Sequence, residues 1–228
     1  MATSGDTEPA LGRLRAFLLP GGEAAARGVR AMTASERGEI RSAPRARAIP
    51  FTAQESIDAT QSAFRWDARM AGGKLGLFRV TDAYEEQRGR LVITVGGVVP
   101  LKKMTGPDFD KGELQRYLAY AVFCPPILVN NPALEWTAAG DDCVRVRDRT
   151  DPTGATVDIE IDADGRPVVM RALRPREKGV ETPWSAVATD FEEHDGARVP
   201  RRLAASWHLP EGSFTYINLE IASFAFVR

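Results

Sequence analysis

The chain has 228 residues, of which 43% are hydrophobic, and its 30 Lys and Arg residues nearly balance its 31 Asp and Glu residues. A hydrophobic fraction of this size supplies a core and excludes wholesale disorder. The net charge of −1 argues against nucleic acid as the main partner, because phosphate binding needs a basic excess. No apolar run is long enough for a transmembrane helix. We expect one domain over residues 1–228.

The N-terminal segment, residues 1–22, predicts a short helix. Leucines recur at helical spacing over residues 9–19, and the Pro-Gly-Gly sequence at 20–22 ends the pattern. The segment begins with acidic residues and has only a short apolar patch, which is unlike a secretory signal. Cys124 and Cys143 are too few for a disulfide framework, so we expect reduced thiols and a cytoplasmic location.

From Gly28 onward the dominant pattern has a period of two residues, as in half-buried β-strands. Val157, Ile159 and Ile161 alternate with polar residues, and a turn of the type Asp-Ala-Asp-Gly follows at residues 162–165. Strands are predicted over residues 28–35, 39–46, 64–70, 77–84, 90–95, 134–138, 143–148, 156–161, 168–174, 184–191, 198–208 and 214–226.

One amphipathic helix, over residues 110–122, interrupts these strands. Asp110 stands at an N-cap position and Glu113 three residues later, as in a capping box. An antiparallel sheet of many strands curls and needs something to cover its concave face. We therefore predict a mainly β protein, a curved antiparallel half-barrel of about eleven strands with this helix as a plug.

Metal and cofactor sites find little support. His194 and His208 have no neighbouring ligand residue at a suitable spacing. The acidic turn at residues 162–165 lacks the distal acid of a calcium loop, and Gly96-Gly97 lacks the context of a phosphate loop. We predict no cofactor and no metal.

Two acids interrupt strand faces that are otherwise apolar. Asp82 shares its predicted face with Phe78 and Tyr84, and Glu220 shares its own with Tyr216. A desolvated carboxyl has a raised pKa, which suits a general acid or base, so both are candidate catalytic residues. The alternative is that each acid lies near a rim or pairs with an arginine.

Aromatic residues on the predicted strands and helix are candidates for lining a ligand cavity. The alternative for each is packing in the core, and Trp136 and Trp207 are aromatics of the same kind on predicted strands. The candidate ligand-binding residues are Trp66, Tyr84, Tyr117, Tyr120, Trp184 and Tyr216.

Several motifs resemble an uncharacterised, mostly actinobacterial family. They are Ile49-Pro50-Phe51-Thr52-Ala53-Gln54-Glu55, Phe64-Arg65-Trp66-Asp67-Ala68-Arg69, Asp82-Ala83-Tyr84, Gly112-Glu113-Leu114-Gln115-Arg116-Tyr117-Leu118-Ala119 and Leu209-Pro210-Glu211-Gly212. The Asp195-Gly196-Ala197-Arg198-Val199-Pro200 hairpin, followed by two long strands, resembles the LolA-like lipoprotein-carrier superfamily. The resemblance implies a half-barrel with helices over an apolar concave face.

The resemblance implies a cavity but no reaction. The chain shows no export signal, so lipoprotein transport does not follow from it, and Tyr120 stands where the family usually has an acid. We predict binding of a small hydrophobic molecule. The alternatives are a cofactor-independent cyclase, isomerase or hydrolase acting through acid–base catalysis, and a non-catalytic structural or interaction domain.

Overall fold

A computed structural model describes residues 7–71, 77–97, 99–177 and 179–228, and its main feature is one thirteen-stranded sheet. The strands are β1 (Ala31–Ile40), β2 (Ile49–Asp58), β3 (Phe64–Ala71), β4 (Leu77–Glu85), β5 (Arg88–Val95), β6 (Val99–Met104), β7 (Leu134–Gly140), β8 (Cys143–Asp148), β9 (Thr156–Ile161), β10 (Pro167–Glu177), β11 (Val180–His194), β12 (Ala197–Leu209) and β13 (Gly212–Val227). The helices are α1 (Thr7–Leu18), α2 (Glu23–Ala26), α3 (Pro107–Ala119) and α4 (Ile127–Asn130).

The sheet consists of two meanders that meet in its centre. Its order is β6-β5-β4-β3-β2-β1-β13-β12-β11-β10-β9-β8-β7, and β1 pairs antiparallel with β13. The chain thus runs outward from β1 to one edge, passes through α3 and α4 to the other edge, and returns to the centre. The sheet curls into a half-barrel, which confirms the predicted fold class.

Three strands differ from the sequence prediction. Residues 31–40 form one strand where two had been expected, because β1 continues through Gly38. Strands β2 and β6 were not predicted as strands. Strand β2 does alternate, with Phe51, Ala53, Glu55 and Ile57 all buried. The acid is Glu55, and it hides the alternation from a search that counts only apolar residues as inward-facing.

Helix α3 lies across the concave face. It packs against β4 and β5 on one side of the sheet and against β8, β9 and β10 on the other. The predicted plug helix is present, but it begins at Pro107, and turns follow its last residue, Ala119. Asp110 is not its N-cap: its carboxylate accepts the Gly89 N–H at 2.7 Å and so fastens the helix to the β4–β5 turn.

Helix α1 lies at one end of the concave face. Leu14 and Leu18 on its inner stripe are fully buried, and the helix packs against β7, β8 and β12. The buried leucines fill this end of the concave face. Within the described residues, every helix is too short to cross a membrane.

Candidate functional site

A cavity of about 540 Å³ lies between α3 and the concave face of the sheet. Most of its lining is apolar and comes from strands on both sides of the β1–β13 pairing. Two larger hollows, of about 990 and 880 Å³, are lined largely by polar and charged side chains. Ligand pockets are typically apolar with a few placed polar groups, so the 540 Å³ cavity is the candidate site.

Aromatic rings form much of the cavity wall. Four of the predicted ligand-binding residues line it, namely Trp66, Tyr120, Trp184 and Tyr216, and Trp207 lines it as well. The Trp184 indole N–H donates to the Tyr216 hydroxyl at 3.2 Å, and the rings of Trp207 and Tyr216 lie 5.7 Å apart. Aromatic rings held in this way present a rigid apolar surface.

Four buried carboxyls line the same cavity. Glu36 lies on β1, Glu55 on β2, Asp82 on β4 and Glu113 on α3. Cross-strand pairing places Glu55 opposite Trp66 and Trp66 opposite Asp82, so these three side chains form one row across the sheet. Residues opposite each other on antiparallel strands point to the same face, which brings the acids together.

Arg116 of α3 joins two of these acids. Its Nη1 donates to Asp82 at 2.6 Å and its Nη2 to Glu55 at 3.2 Å, while its Nε donates to the Tyr120 hydroxyl. The Tyr120 hydroxyl in turn donates to Glu55. The guanidinium also lies over the Phe64 ring, 4.8 Å from its centroid. Every nitrogen of Arg116 is therefore already engaged within the protein.

Glu36 forms a carboxyl pair with Glu55. The Trp66 indole N–H donates to Glu36 at 2.8 Å, and Glu36 also hydrogen-bonds Glu55. Burial, followed by the charge of Glu55, raises the pKa of Glu36 well above its ordinary value. Burial therefore favours the neutral, protonated form of Glu36.

Asp82 and Glu113 are the incompletely bonded acids of the cavity. Asp82 is 6% exposed, and burial and the charge of Glu113 raise its pKa to about 8 even though Arg116 is adjacent. One oxygen of each acid, Oδ1 of Asp82 and Oε2 of Glu113, is buried without a hydrogen-bond partner. Unsatisfied buried polar atoms are costly and indicate a functional role or a missing partner.

Arg174 of β10 supplies the second buried cation. Its Nη2 donates to the carbonyl of Gly112 at 2.6 Å and lies 3.5 Å from Glu113. Its guanidinium lies over Trp184, 4.9 Å from the ring centroid. Arg116 and Arg174 are thus two guanidinium groups among four buried carboxyls.

Two predicted ligand-binding residues lie outside the cavity. The hydroxyl of Tyr117 donates to the carbonyl of Asp58 at 3.0 Å and accepts from Asn131 at 2.9 Å. Tyr84 is buried beside the β4–β5 turn, where it pairs with Gly89, and burial raises its pKa. Both side chains are core residues, as the alternative interpretation proposed.

Glu220 lies on the convex face, so its prediction as an inward acid is wrong. Its side chain is 37% exposed and pairs with Arg37 at 2.7 Å. Tyr216 and Ala222 are extra residues in the pairing of β13 with its neighbours, which makes two β-bulges. A one-residue shift moves every following side chain to the other face. Between the bulges, Ile217 and Leu219 point inward and Glu220 outward.

Sequence reasoning missed most of the cluster around Asp82. Glu55 interrupts an apolar face on β2 and Glu36 does so on β1, which is the same signal that indicated Asp82. Glu113 was taken as a helix-capping residue. Arg116 gave no signal of its own, because its position depends on where α3 crosses the sheet.

A metal centre is not formed by these carboxyls. Among the residues that the structure describes, no group of three or more His, Cys, Asp or Glu side chains could hold a metal ion. The cations that these carboxyls contact are the guanidinium groups of Arg116 and Arg174.

Three solved structures share the fold at low sequence identity. A LolA superfamily protein from Nitrosomonas europaea has 12% identity and a TM-score of 0.50, over 99% of this chain and 95% of the other. A protein described as an outer membrane lipoprotein-sorting protein domain, from Vibrio parahaemolyticus, has 9% identity and a TM-score of 0.52, over 95% and 90%. A DUF1329 family protein from Desulfovibrio piger has 7% identity and a TM-score of 0.55, over 97% and 93%.

These likenesses confirm the LolA-like fold that the sequence motifs implied. A search of the curated proteins finds no match. The sequence matches the family of unknown function DUF6544 over residues 14–219, which is most of its length, and the chain belongs to that family.

Proposed function

We propose that the protein binds a small hydrophobic molecule in the cavity between α3 and the sheet. The observation that carries this proposal is an apolar, aromatic-walled space of about 540 Å³ with one polar cluster at its wall. This volume lies within the usual range for pockets that enclose drug-sized ligands. The polar cluster would orient the ligand, and the apolar wall would supply most of the affinity.

The structural relatives support the same proposal. The half-barrel of this chain is shared with a LolA superfamily protein and with a domain described as lipoprotein-sorting. Lipidated or otherwise hydrophobic cargo is consistent with such a fold. The cytoplasmic location expected from the sequence stays a prediction.

Binding can be tested with a fluorescent apolar probe, N-phenyl-1-naphthylamine. We expect saturable fluorescence enhancement with the wild type and its loss in Ala205→Phe, because Ala205 is buried on the cavity wall. Ala204→Phe is the matched control, since Ala204 is the preceding residue of the same strand and does not line the cavity. Circular dichroism checks that both variants fold.

Native mass spectrometry of purified protein complements this assay. A co-purifying small molecule identifies the natural ligand directly. Protein that is consistently empty and that does not enhance the probe would contradict the proposal and favour a structural or interaction domain.

A second function, acid–base catalysis, is favoured by one observation. Asp82 lines the cavity, holds a pKa of about 8 and has an unpartnered oxygen. A general acid is most effective when its pKa lies near the working pH. Of the two acids proposed from the sequence, Asp82 lines the cavity and Glu220 does not. Asp82 would then be the general acid or base of a cofactor-independent cyclase, isomerase or hydrolase that acts on a hydrophobic substrate.

The catalytic proposal can be tested without knowing the substrate. A metabolite extract is incubated with the wild type or with Asp82→Asn and compared by untargeted mass spectrometry. Compounds consumed only by the wild type would support catalysis. Identical profiles for both proteins would contradict it and leave ligand binding.

A further inference from the structure

We propose that the cavity selects amphiphilic amines, with the ammonium group placed against Asp82 and Glu113 and the apolar body against the tryptophans. This inference deepens the binding function proposed above and rests on it. It concerns the charge of the ligand's head group, which the apolar wall alone does not determine.

The first argument is the balance of buried charge in the lining. Four buried carboxyls face the space, against the guanidinium groups of Arg116 and Arg174. Arg116 is 20% exposed and Arg174 is buried. A cluster with more carboxyls than cations accommodates another cation more readily than an anion, because the interior screens charge weakly.

The groups facing Asp82 come from several elements. They are Glu55 on β2, Glu113 and Arg116 on α3, and Arg174 on β10. Glu36 on β1 and the Tyr120 hydroxyl contact Glu55 one position further away. Arg41, Asp108 and Arg176 line the rim of the same space.

The second argument is the hydrogen-bonding capacity left unused. Oδ1 of Asp82 and Oε2 of Glu113 are acceptors without donors, and both residues line the cavity. On the donor side, each nitrogen of Arg116 already donates to an acceptor within the protein, and Nη2 of Arg174 donates to the carbonyl of Gly112. The two buried carboxylate oxygens without a donor favour a ligand group that donates.

The arginines therefore do not form a clamp for a carboxylate. Arg116 already donates to Asp82, Glu55 and the Tyr120 hydroxyl, so an anionic head group would compete with these acceptors for its charge. Arg174 lies over Trp184 and holds Gly112 and Glu113. An anion would also add a negative charge beside four buried carboxyls, whereas an ammonium ion can replace the proton of Asp82.

Binding of an amine is accordingly coupled to release of a proton. The neutral carboxyl of Asp82 loses its proton to solvent as the ammonium group takes its place, so the total charge of the site is unchanged. Because the pKa of Asp82 is about 8, the unliganded protein holds this proton at pH 7. The release approaches about one proton per amine at pH 7 and disappears above about pH 9.

The test compares decylamine, 1-decanol and decanoate, which share one chain length, by isothermal titration calorimetry. We expect decylamine to bind about tenfold or more tightly than decanol, and decanoate to bind most weakly. Titrations at pH 7 in buffers of different ionisation enthalpy measure the proton released. Binding of decanoate as tight as that of decylamine would overturn the inference.

Variants distinguish the site from the apolar wall. We expect Asp82→Asn to weaken decylamine binding about tenfold and to abolish proton release, with decanol binding nearly unchanged. Glu113→Gln is the second variant and weakens decylamine binding without abolishing proton release. Glu220→Gln is the matched control, since Glu220 lies on the convex face.

The outcomes separate the two proposals. If decanol and decylamine bind equally in the wild type, or if Asp82→Asn leaves decylamine binding unchanged, selection for amines is wrong while hydrophobic binding stands. If none of the three probes and no N-phenyl-1-naphthylamine binds, the proposed function itself is wrong.

Discussion

The two halves of the concave face treat buried polar groups differently. Away from the cavity, Asp148 accepts from the hydroxyls of Ser62 and Thr150, and Asp110 accepts the backbone N–H of Gly89. In the cavity half, Asp82 and Glu36 face other carboxyls and a shared arginine. We call the part of the fold outside the cavity the packed half, and there each of these acids is bonded by its own donors. In the cavity half, neighbouring acids compete for protons.

This difference indicates where the fold is stabilised and where a ligand would act. Leu14, Leu18 and Leu118 are fully buried in the packed half, while Leu203 and Trp207 on the cavity wall are only half-buried. Burial of apolar surface is the main source of stability. The packed half therefore holds the half-barrel together, and the cavity half keeps unsatisfied groups that a ligand can complete.

The largest effect that we expect is a decrease in stability as pH rises. The pKa of Asp82 is raised from 3.8 to about 8 in the folded protein, so the folded state binds a proton that the unfolded state has already lost. The free energy of unfolding should therefore fall from near pH 4 to near pH 8, and protonation of Glu36 contributes with the same sign. Urea denaturation at a series of pH values measures this.

Asp82→Asn tests the assignment of this pH dependence. Asparagine resembles the protonated acid, so we expect a flatter profile and a variant more stable than the wild type at pH 9. Glu220→Gln is the opposite case, because Arg37 lowers the pKa of Glu220 and the resulting stabilisation is lost as pH falls. A wild type whose stability increases from pH 5 to pH 8 would contradict the assignment.

Removal of the shared cation should have the next largest effect. Arg116→Met leaves Glu55 and Asp82 without their charged partner, and breaking a buried pair in this way costs about 3–5 kcal/mol. The loss should be smaller at pH 5 than at pH 8, because the acids can then take up protons. Arg37→Met on the convex face is the control and should cost far less, because its pair with Glu220 is exposed and surface ion pairs contribute little to stability. Equal unfolding curves for both variants would contradict the role of Arg116 as the shared cation of Glu55 and Asp82.

The same leucine truncation in the two halves compares their packing. Leu118→Ala removes a fully buried side chain from the packed half and should cost about 2–5 kcal/mol. Leu203→Ala should cost less, because Leu203 is half-buried and already borders open space. Thermal and urea unfolding measure both. Equal losses would indicate that the cavity is closed by packing in solution.

Much of the fold could be predicted from sequence, because alternation and turn residues act locally. The Val157–Ile161 pattern and the turn ending at Gly165, whose φ is +81°, are both present in the structure. The prediction failed where alternation breaks for reasons outside the strand. The bulges at Tyr216 and Ala222 depend on pairing with neighbouring strands, and they reversed the assignment of Glu220.

The site was only partly predictable, because it too depends on contacts between elements that are distant in the sequence. Asp82 was found because it interrupts an apolar face within one strand. Its partners Glu55, Glu113 and Arg116 come from other elements, and the angle at which α3 crosses the sheet brings them together. The choice between Tyr117 and Tyr120 as cavity residues depends on that same angle.

The smallest effect that we expect comes from these two tyrosines. Tyr117→Phe removes a hydroxyl that bonds Asp58 and Asn131 in the packed half, which should lower the free energy of unfolding by about 1–2 kcal/mol. Binding of N-phenyl-1-naphthylamine should not change, because Tyr117 does not line the cavity. Tyr120→Phe removes the donor to Glu55 from the cavity wall and should alter probe binding. If Tyr117→Phe weakened probe binding more than Tyr120→Phe did, the ligand would have to reach into the half that the structure shows as filled.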